Sequence, residues 1–242
     1  MENEALCLAI AHLSGMGSDP AEILDLYGPV LVVPRYDRLR HDDDVVVRLH
    51  QEDMCQALSI PVGFWGDAKC ESDGGPAYRQ IARVLDNYAH DSARQLEQLA
   101  RMMTFNVAIG NADAHGKNVS LIHDTPDSVT LAPPYDVMCT AWYRDVATSA
   151  GRRPVSTTLA MYVHGVQDLH AVSFNDLVNE AVEWRLSERR ARTVIKDFIE
   201  TLDDAVARTA ADFTGQAAGI ATYIAQRVAS LRSGGMAGGE AL

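Results

Sequence analysis

Residues 111–118 read Asn-Ala-Asp-Ala-His-Gly-Lys-Asn, and residues 134–136, a short distance further along the chain, read Pro-Tyr-Asp. The two segments contain Asp113, then Asn118 five residues later, and finally Asp136. Magnesium prefers hard oxygen ligands and keeps several of its waters, so one amide oxygen and one carboxylate suffice to hold it. Asn118 and Asp136 therefore suit a magnesium site, and Asp113 remains free to accept a proton from a hydroxyl group.

This order of residues is similar to the catalytic parts of phosphoryl-transfer enzymes. In protein kinases a loop of pattern H-R-D-x-x-x-x-N supplies a base and one metal ligand, and a later aspartate supplies the other. Such a loop needs a rigid support, and residues 92–109 predict one. Apolar residues recur there at helical spacing, Ser92 suits an N-cap and Gly110 suits a C-terminal cap.

Length and composition indicate a globular protein. The 242 residues allow one large or two small domains, and 47% hydrophobic with 22% charged residues is ordinary for a soluble chain. A membrane-spanning helix needs about 18 consecutive apolar residues, and no apolar run in this sequence approaches that length. The first residues of the sequence lack a signal-peptide pattern. Four scattered cysteines predict reduced thiols, so we expect a cytoplasmic protein without a membrane partner. The net charge of −12 disfavours direct nucleic-acid binding.

Periodicity and turn residues predict a mixed chain that becomes helical towards its end. The predicted helices cover residues 2–14, 92–109, 174–185, 188–206 and 216–232. The predicted strands cover residues 23–27, 30–36, 45–49, 119–123 and 129–132. Turns or loops are expected at residues 38–44, 71–76 and 125–128.

Four segments of this sequence resemble the HipA family of bacterial serine/threonine kinases, the toxins of type II toxin–antitoxin pairs. They are Val33-Pro34-Arg35-Tyr36-Asp37-Arg38, Gln51-Glu52-Asp53-Met54-Cys55-Gln56, Glu71-Ser72-Asp73-Gly74-Gly75-Pro76, and residues 111–118 with 134–136. The second and third are very specific, and all four occur in the order of the family. The resemblance is strong up to about residue 140 and weak beyond it.

The resemblance implies an α+β, mainly helical fold: a protein-kinase-like C-terminal lobe with a small β-hairpin and hinge remnant of the N-terminal lobe. Residues 1–50 would be the remnant with the hinge, 51–232 the helical lobe and 233–242 a disordered tail. The implied activity is ATP- and Mg²⁺-dependent phosphorylation of a protein. The implied partners are an aminoacyl-tRNA synthetase as substrate and a HipB-like DNA-binding antitoxin.

The family also implies a role for each matching residue. Asp113 would be the catalytic aspartate that contacts the substrate hydroxyl, and Asn118 and Asp136 would hold magnesium. The nucleotide would be bound by the hinge and the pocket behind it, through Pro34, Tyr36, Asp37, Gln51 and Tyr135. His115 is expected to orient the loop rather than to react, and Lys117 faces either phosphate or solvent.

One departure leaves the activity of this chain open. Family members carry an earlier region with a strand lysine that grips the phosphates and a loop that covers them, whereas here residues 1–4 already match an interior helix. The lysines of this chain are Lys69, Lys117 and Lys196. We therefore expect either a fragment or a chain completed by a separate polypeptide.

Two further functions compete with an active kinase. The first is a catalytically crippled lobe that only folds or binds the antitoxin. The second, weaker alternative is a metal-dependent phosphohydrolase that uses Asp113, His115, His123 and Asp136 and turns over without ATP.

Overall fold

The computed structural model describes residues 1–17, 19–40, 45–63, 66–125, 128–149 and 151–238. The α-helices are α1 (Glu2–Leu13), α2 (Met54–Ala57), α3 (Tyr78–Tyr88), α4 (Ser92–Ile109), α5 (Phe174–Glu183), α6 (Glu188–Ala210) and α7 (Gly215–Arg232). The strands are β1 (Glu22–Asp25), β2 (Pro29–Val32), β3 (Arg38–Arg40), β4 (Val46–Arg48), β5 (His50–Asp53), β6 (Val62–Gly63), β7 (Gly66–Asp67), β8 (Ser120–Thr125), β9 (Ser128–Leu131), β10 (Asp145–Thr148), β11 (Gly151–Pro154), β12 (Thr158–Val163) and β13 (Val166–Asp168). Short 3₁₀ turns cover Glu71–Asp73, Gly116–Asn118 and Thr140–Trp142. The predicted mixed and mainly helical architecture is confirmed.

Helix α4 lies at the centre of the core. Its apolar residues Leu99, Met103 and Phe105 are fully buried, and it packs against α3, α5, α6, α7 and β9. A helix covered on nearly every side is held in place by its neighbours, which makes its C-terminal end a fixed point. The predicted bounds of this helix are confirmed, although its side-chain N-cap is Asp91, which accepts a hydrogen bond from the Arg94 N–H at 3.1 Å.

A three-stranded antiparallel sheet has the strand order β5-β8-β9. Its strand β5 follows the hinge region, and its strand β8 follows the loop after α4. In its first ladder His50 lies opposite His123, Gln51 opposite Ile122 and Asp53 opposite Ser120. The predicted hairpin of β8 and β9 is therefore confirmed, and β5 is a third strand that the sequence did not indicate. Residues 126 and 127 of the predicted turn lie outside the described residues.

The N-terminal strands form separate antiparallel hairpins, β1 with β2 and β3 with β4. Residues 38–40, expected in a charged loop, instead form β3, because Leu39 pairs with Val47 across the ladder. Residues 41–44 of that expected loop lie outside the described part of the chain.

Two hairpins between residues 145 and 168, β10 with β11 and β12 with β13, were not predicted. The turn of the hairpin of β12 and β13 could have been predicted from the sequence. His164 and Gly165 form this two-residue turn, with φ of 49° and 77°. An X-Gly pair between apolar runs is typical of such a turn.

The chain end also differs from the expectation. The Ala237 N–H donates to the Val172 carbonyl at 2.7 Å, the Gly238 N–H donates to the His170 carbonyl at 2.9 Å, and Ala237 is buried. Residues 237 and 238 are therefore held in place, in contrast to the predicted disordered tail, and residues 239–242 lie outside the described range. No helix among the described residues is long and apolar enough to cross a membrane.

Candidate active site

The segment that contains Asp113 begins directly after the C-terminal end of α4. Gly110 caps the helix with a φ of 81°, a left-handed conformation that favours glycine. A β-carbon at this position would lie 3.2 Å from both Cys139 Sγ and Ala141 Cβ. The predicted C-terminal cap is therefore present, and both conformation and space call for glycine.

Buried hydrogen bonds fix the backbone immediately before Asp113. Asn111 Nδ2 donates to Asn106 Oδ1 at 3.0 Å, and Asn111 Oδ1 accepts from the Asp113 N–H at 3.2 Å. The Ala112 N–H donates to Thr140 Oγ1 at 2.9 Å. Together these bonds hold the loop on a buried helix, which is how a rigid support positions a reactive side chain.

Asn118 closes the same loop. Its Nδ2 donates to the Asp113 carbonyl at 3.3 Å, and its N–H donates to the His115 carbonyl at 2.8 Å. The amide nitrogen is only a donor, so the side-chain oxygen is the atom that Asn118 can offer to a cation. The Asp113 side chain is exposed, as a group that meets a substrate must be.

His115 belongs to the same loop as Asp113 and Asn118. The residue is buried, and its Nδ1 has no hydrogen-bond partner among the described residues. Burial lowers the pKa of this imidazole below its ordinary value, while the charges of Asp113 and Asp136 oppose that shift and Lys69 adds to it. The charges of both carboxylates therefore act on this ring.

Asp136 has an unusual backbone conformation, with a φ of 52°, for a residue other than glycine. Such conformations persist where the surrounding structure holds them and are frequent at functional sites. Asn3 of α1 provides part of that support: its Oδ1 accepts from the Cys139 N–H at 2.8 Å and its Nδ2 donates to the Cys139 carbonyl at 3.0 Å. Burial and the nearby charge of Asp136 raise the pKa of Glu4 on the same helix.

A cavity of about 510 Å³ opens beside this loop. All five residues predicted to bind the nucleotide line it, together with Lys117; the predicted residues are Pro34, Tyr36, Asp37, Gln51 and Tyr135. The wall also includes Asp53, Gln56 and Ser120, which the sequence analysis did not identify as site residues. The Asp53-x-x-Gln56 spacing could have predicted a helix start here, because the two side chains form the capping box at the start of α2.

Two aromatic rings meet in the cavity wall. The ring centroids of Tyr36 and Tyr135 are 5.7 Å apart, and the Tyr36 hydroxyl donates to Gln51 Oε1. The Tyr135 hydroxyl donates to the Lys117 carbonyl at 2.7 Å and lies 2.6 Å from Ser120 Oγ. Burial raises the pKa of both phenols, so both stay neutral and present their ring faces and hydroxyls.

Two charged residues in the wall already have partners. Arg35 donates to the Asp37 carboxylate through Nε at 2.8 Å and Nη2 at 2.7 Å, and Arg38 binds the same group. The hydrogen bonds from Arg35 lower the pKa of Asp37 in spite of its burial. Lys117 Nζ donates to Asp53 Oδ2 at 2.7 Å, so this lysine is paired at the edge of the cavity.

Comparison with known proteins agrees with this geometry. The family model described as "HipA-like C-terminal domain" matches residues 1–206. The "Putative kinase Y4mE" of Sinorhizobium fredii is 39% identical over 153 residues, which cover 63% of this chain and 35% of that protein. The "Serine/threonine-protein kinase toxin HipA" of Shewanella oneidensis is 30% identical over 154 residues, which cover 59% of this chain and 35% of that protein.

Solved structures show the same fold. The chain superposes with a TM-score of 0.76 and 21% identity on the Shewanella oneidensis HipA, HipB and operator DNA complex, covering 96% of this chain and 57% of the other. With the Helicobacter pylori proinflammatory kinase CtkA the TM-score is 0.57 at 10% identity, covering 97% of this chain and 83% of the other. The predicted kinase-like fold is thus confirmed, and the chain spans about a third of the length of the two sequence relatives.

Proposed function

This chain belongs to the family of HipA-like C-terminal domains, and on that premise we propose that it is the catalytic lobe of an ATP- and Mg²⁺-dependent serine/threonine protein kinase. The observation that carries the proposal is that the loop of Asp113 and Asn118 also contributes Lys117 to the wall of the aromatic cavity of Tyr36 and Tyr135. Asp113 itself is exposed and lines a second cavity of about 450 Å³. An exposed carboxylate on a loop that also borders the first cavity suits transfer from a bound nucleotide to a second substrate.

The donor atoms fit magnesium. Asn118 can offer an amide oxygen, and the Asp136 carboxylate is exposed on a backbone held from both sides. When bound, magnesium would neutralise charge on the phosphates of the nucleotide. We assign Asn118 and Asp136 to hold this ion and Asp113 to accept the proton of the substrate hydroxyl. General-base catalysis of this kind accelerates a reaction by about 10²–10⁴-fold.

The residues around the cavity would orient the nucleotide. Backbone groups of Pro34 and Tyr36 would meet the adenine, because a proline that lacks an N–H still offers its carbonyl. Gln51 and Tyr135 would complete the pocket. Asp37 contributes indirectly, since its carboxylate is bound by Arg35 and Arg38 and shapes the hinge.

His115 would act as a positioning residue. A buried imidazole, whose pKa is lowered by burial, can hold the loop without taking part in the reaction. Lys117 could reach a phosphate only by leaving Asp53, so we assign it a structural role at the rim.

The partners follow from the relatives. The structural neighbour from Shewanella oneidensis is a complex of HipA with HipB and operator DNA. We propose that a HipB-like antitoxin binds this protein and contacts the DNA, because the net charge of −12 opposes direct phosphate contact by this chain. The proposed substrate is an aminoacyl-tRNA synthetase, and the proposed location is the cytoplasm where both would occur.

A second candidate is a lobe with little catalytic activity of its own. Many apolar side chains of the first hairpins are exposed, which favours a further segment or a separate polypeptide that packs on them: Ile23, Leu24, Leu26, Tyr27, Val30, Val32, Val33, Leu39, Val45, Val46 and Val47. In that case the chain alone would bind the antitoxin and would transfer phosphate slowly or not at all.

Phosphate transfer tests the proposal directly. The purified chain is incubated with magnesium and labelled ATP, with and without candidate synthetases, beside Asp113→Ala and the matched control Asp212→Ala on an exposed turn. We expect transfer by the wild type and the control, and a loss of about 10²–10⁴-fold in Asp113→Ala.

Absence of transfer in all three proteins would reject an active isolated kinase. Calorimetry with ATP then separates the two remaining cases, since binding indicates a crippled lobe and no binding indicates a lobe that requires another segment. Phosphate release from other phosphorylated compounds without ATP would instead support the phosphohydrolase.

A further inference from the structure

Three potential metal ligands converge on the sheet of β5 and β8, on the face opposite the cavity. Side chains alternate between the two faces of a strand, so His50 and Glu52 point away from Gln51 and Asp53, which line the cavity. His123 of β8 is the direct cross-strand partner of His50. Two imidazoles and one carboxylate therefore share one patch on the back of the cavity wall.

The distances within this patch suit one ion. The His123 Nε2 lies 3.2 Å from Glu52 Oε2, the His50 Nε2 lies 4.0 Å from Glu52 Oε1, and the two ring centroids are 4.6 Å apart. Each residue can offer one ligand atom within 4.8 Å of the other two. Ligands of a tetrahedral zinc ion lie about 3.4 Å from one another, given metal–ligand distances of about 2.0–2.1 Å. Small side-chain rotations would bring the three atoms to that separation.

We propose that His50, Glu52 and His123 form a binding site for a divalent transition metal ion, with zinc as the expected occupant. Imidazole nitrogen and carboxylate oxygen are both ordinary zinc ligands, and three protein ligands leave a fourth position for water. The His50 side chain is 67% exposed, so water has access to that position. The site differs in chemistry from the proposed magnesium site, because magnesium selects oxygen ligands.

A simple ion pair accounts for only part of the arrangement. One hydrogen bond joins His123 to Glu52, but the nearest nitrogen of His50 is too far from the carboxylate for a second. A metal ion between the three groups would engage both imidazoles and the carboxylate at once.

The other cluster of this kind is less suited to a metal. Glu180 Oε2 accepts from the His164 N–H at 2.7 Å and Glu180 Oε1 accepts from Trp184 Nε1 at 3.0 Å, so both oxygens of this buried carboxylate are in use. The cluster also contains a single imidazole, with Glu183 as its remaining member. Among the described residues, the site on β5 and β8 is the stronger candidate.

Occupancy would couple two strands that carry cavity residues. β5 contributes Gln51 and Asp53 to the cavity, and β8 contributes Ser120. An ion held by His50 and Glu52 on one strand and His123 on the other would tie these strands together, so its binding should raise the thermal midpoint of unfolding.

The test is a calorimetric titration of zinc chloride into the full chain, purified without a histidine tag and free of nucleotide and magnesium. We expect saturable binding of one zinc ion per chain and a higher thermal midpoint with zinc present. His50→Gln and Glu52→Gln should each weaken binding about tenfold or more, because loss of a ligand costs at least as much as loss of a group that orients one. The matched control His90→Gln, an exposed histidine outside the cluster, should bind zinc like the wild type.

Cobalt(II) gives an independent readout, since a four-coordinate nitrogen and oxygen site produces a visible absorption band that the His50 variant should lose. Because His50 is exposed, its replacement leaves the fold intact, and thermal unfolding without metal verifies this for every variant. Zinc binding that is absent, that survives in both variants, or that is lost in His164→Gln instead would overturn the proposal. The result is independent of the kinase proposal, because neither ATP nor magnesium is present.

Discussion

Gly116 lies so close to Pro76 that a β-carbon on the glycine would fall 2.3 Å from the proline Cγ and 2.6 Å from its Cδ. The Gly116 N–H also donates to the Lys69 carbonyl at 3.0 Å. Two motifs that are far apart in sequence, residues 71–76 and residues 111–118, therefore form one packed contact. The loop that carries Asp113 is held from outside by this contact and from inside by α4.

Replacement of Gly116 by alanine should disturb this contact. The added methyl group has no space, and overpacking of this kind costs about 1–3 kcal/mol in the free energy of unfolding. Urea unfolding followed by circular dichroism measures the loss. The double variant Gly116→Ala with Pro76→Ala should recover part of it, because the ring atoms that clash are removed. Equal losses in the single and double variants would show that the clash is not the cause.

Arg227 should stabilise the C-terminal end of α4, from which the loop of residues 111–118 begins. Its buried guanidinium donates to the Val107 carbonyl at 2.8 Å and to the Ala108 carbonyl at 3.3 Å. Arg227→Met removes these charge-assisted bonds and should lower the free energy of unfolding by about 1.5–3 kcal/mol. Arg189→Met, on the exposed face of α6, is the control and should stay within about 0.5 kcal/mol of the wild type. Similar values for the two variants in denaturant unfolding would contradict this role.

Two histidines should make the fold sensitive to acid. Burial lowers the pKa of His115 and of His170 in the folded protein, and for His170 the neighbouring Arg227 lowers it further. In the unfolded chain both titrate near their ordinary value of about 6.5, so below that pH the unfolded state binds more protons than the folded state. Stability should therefore be unaffected by these two groups above about pH 6.5 and fall as the pH drops below it.

The measurement is the free energy of unfolding between pH 7 and pH 5. His170→Gln and His115→Gln should each give a shallower decline than the wild type, while His90→Gln should follow the wild type. The expectation for His170 has a direct structural reason, because its Nδ1 lies 3.2 Å from Arg227 Nη1 and a proton there would remove the acceptor. A steeper decline in either variant would reverse the sign that we assign.

Tyr36 should contribute to nucleotide binding in the proposed pocket. Its ring faces the cavity beside Tyr135, and an aromatic contact is worth about 0.5–1.5 kcal/mol beyond its buried area. Tyr36→Ala should weaken the binding of ATP by about threefold to tenfold or more in calorimetry. Tyr88→Ala, which removes an exposed tyrosine at the end of α3, should leave the affinity unchanged. Unchanged affinity in the Tyr36 variant would place the nucleotide elsewhere.

Local patterns in the sequence were sufficient for α1, α4 and the three helices at the end of the chain, whereas α3 was not among the predicted helix ranges. The stripe of apolar residues on residues 92–109 and the glycine at 110 act through neighbours within one or two helical turns. Helix α4 and its C-terminal cap at Gly110 are therefore as predicted, although Asp91 rather than Ser92 is its N-cap. The strands were predicted less well, because a strand depends on a partner that is distant in sequence. β3 needs β4, and β5 needs β8.

The sequence by itself predicted which residues would carry the chemistry: the order and spacing of Asp113, Asn118 and Asp136 are local properties, and together with the other three segments they indicated the family. Only the tertiary structure decided how those residues are held and what surrounds them. The burial of His115, the pairing of Lys117 with Asp53 and the meeting of His50 with His123 each join segments that lie apart in the chain. Contacts of this kind depend on packing and strand register, which no short stretch of sequence encodes.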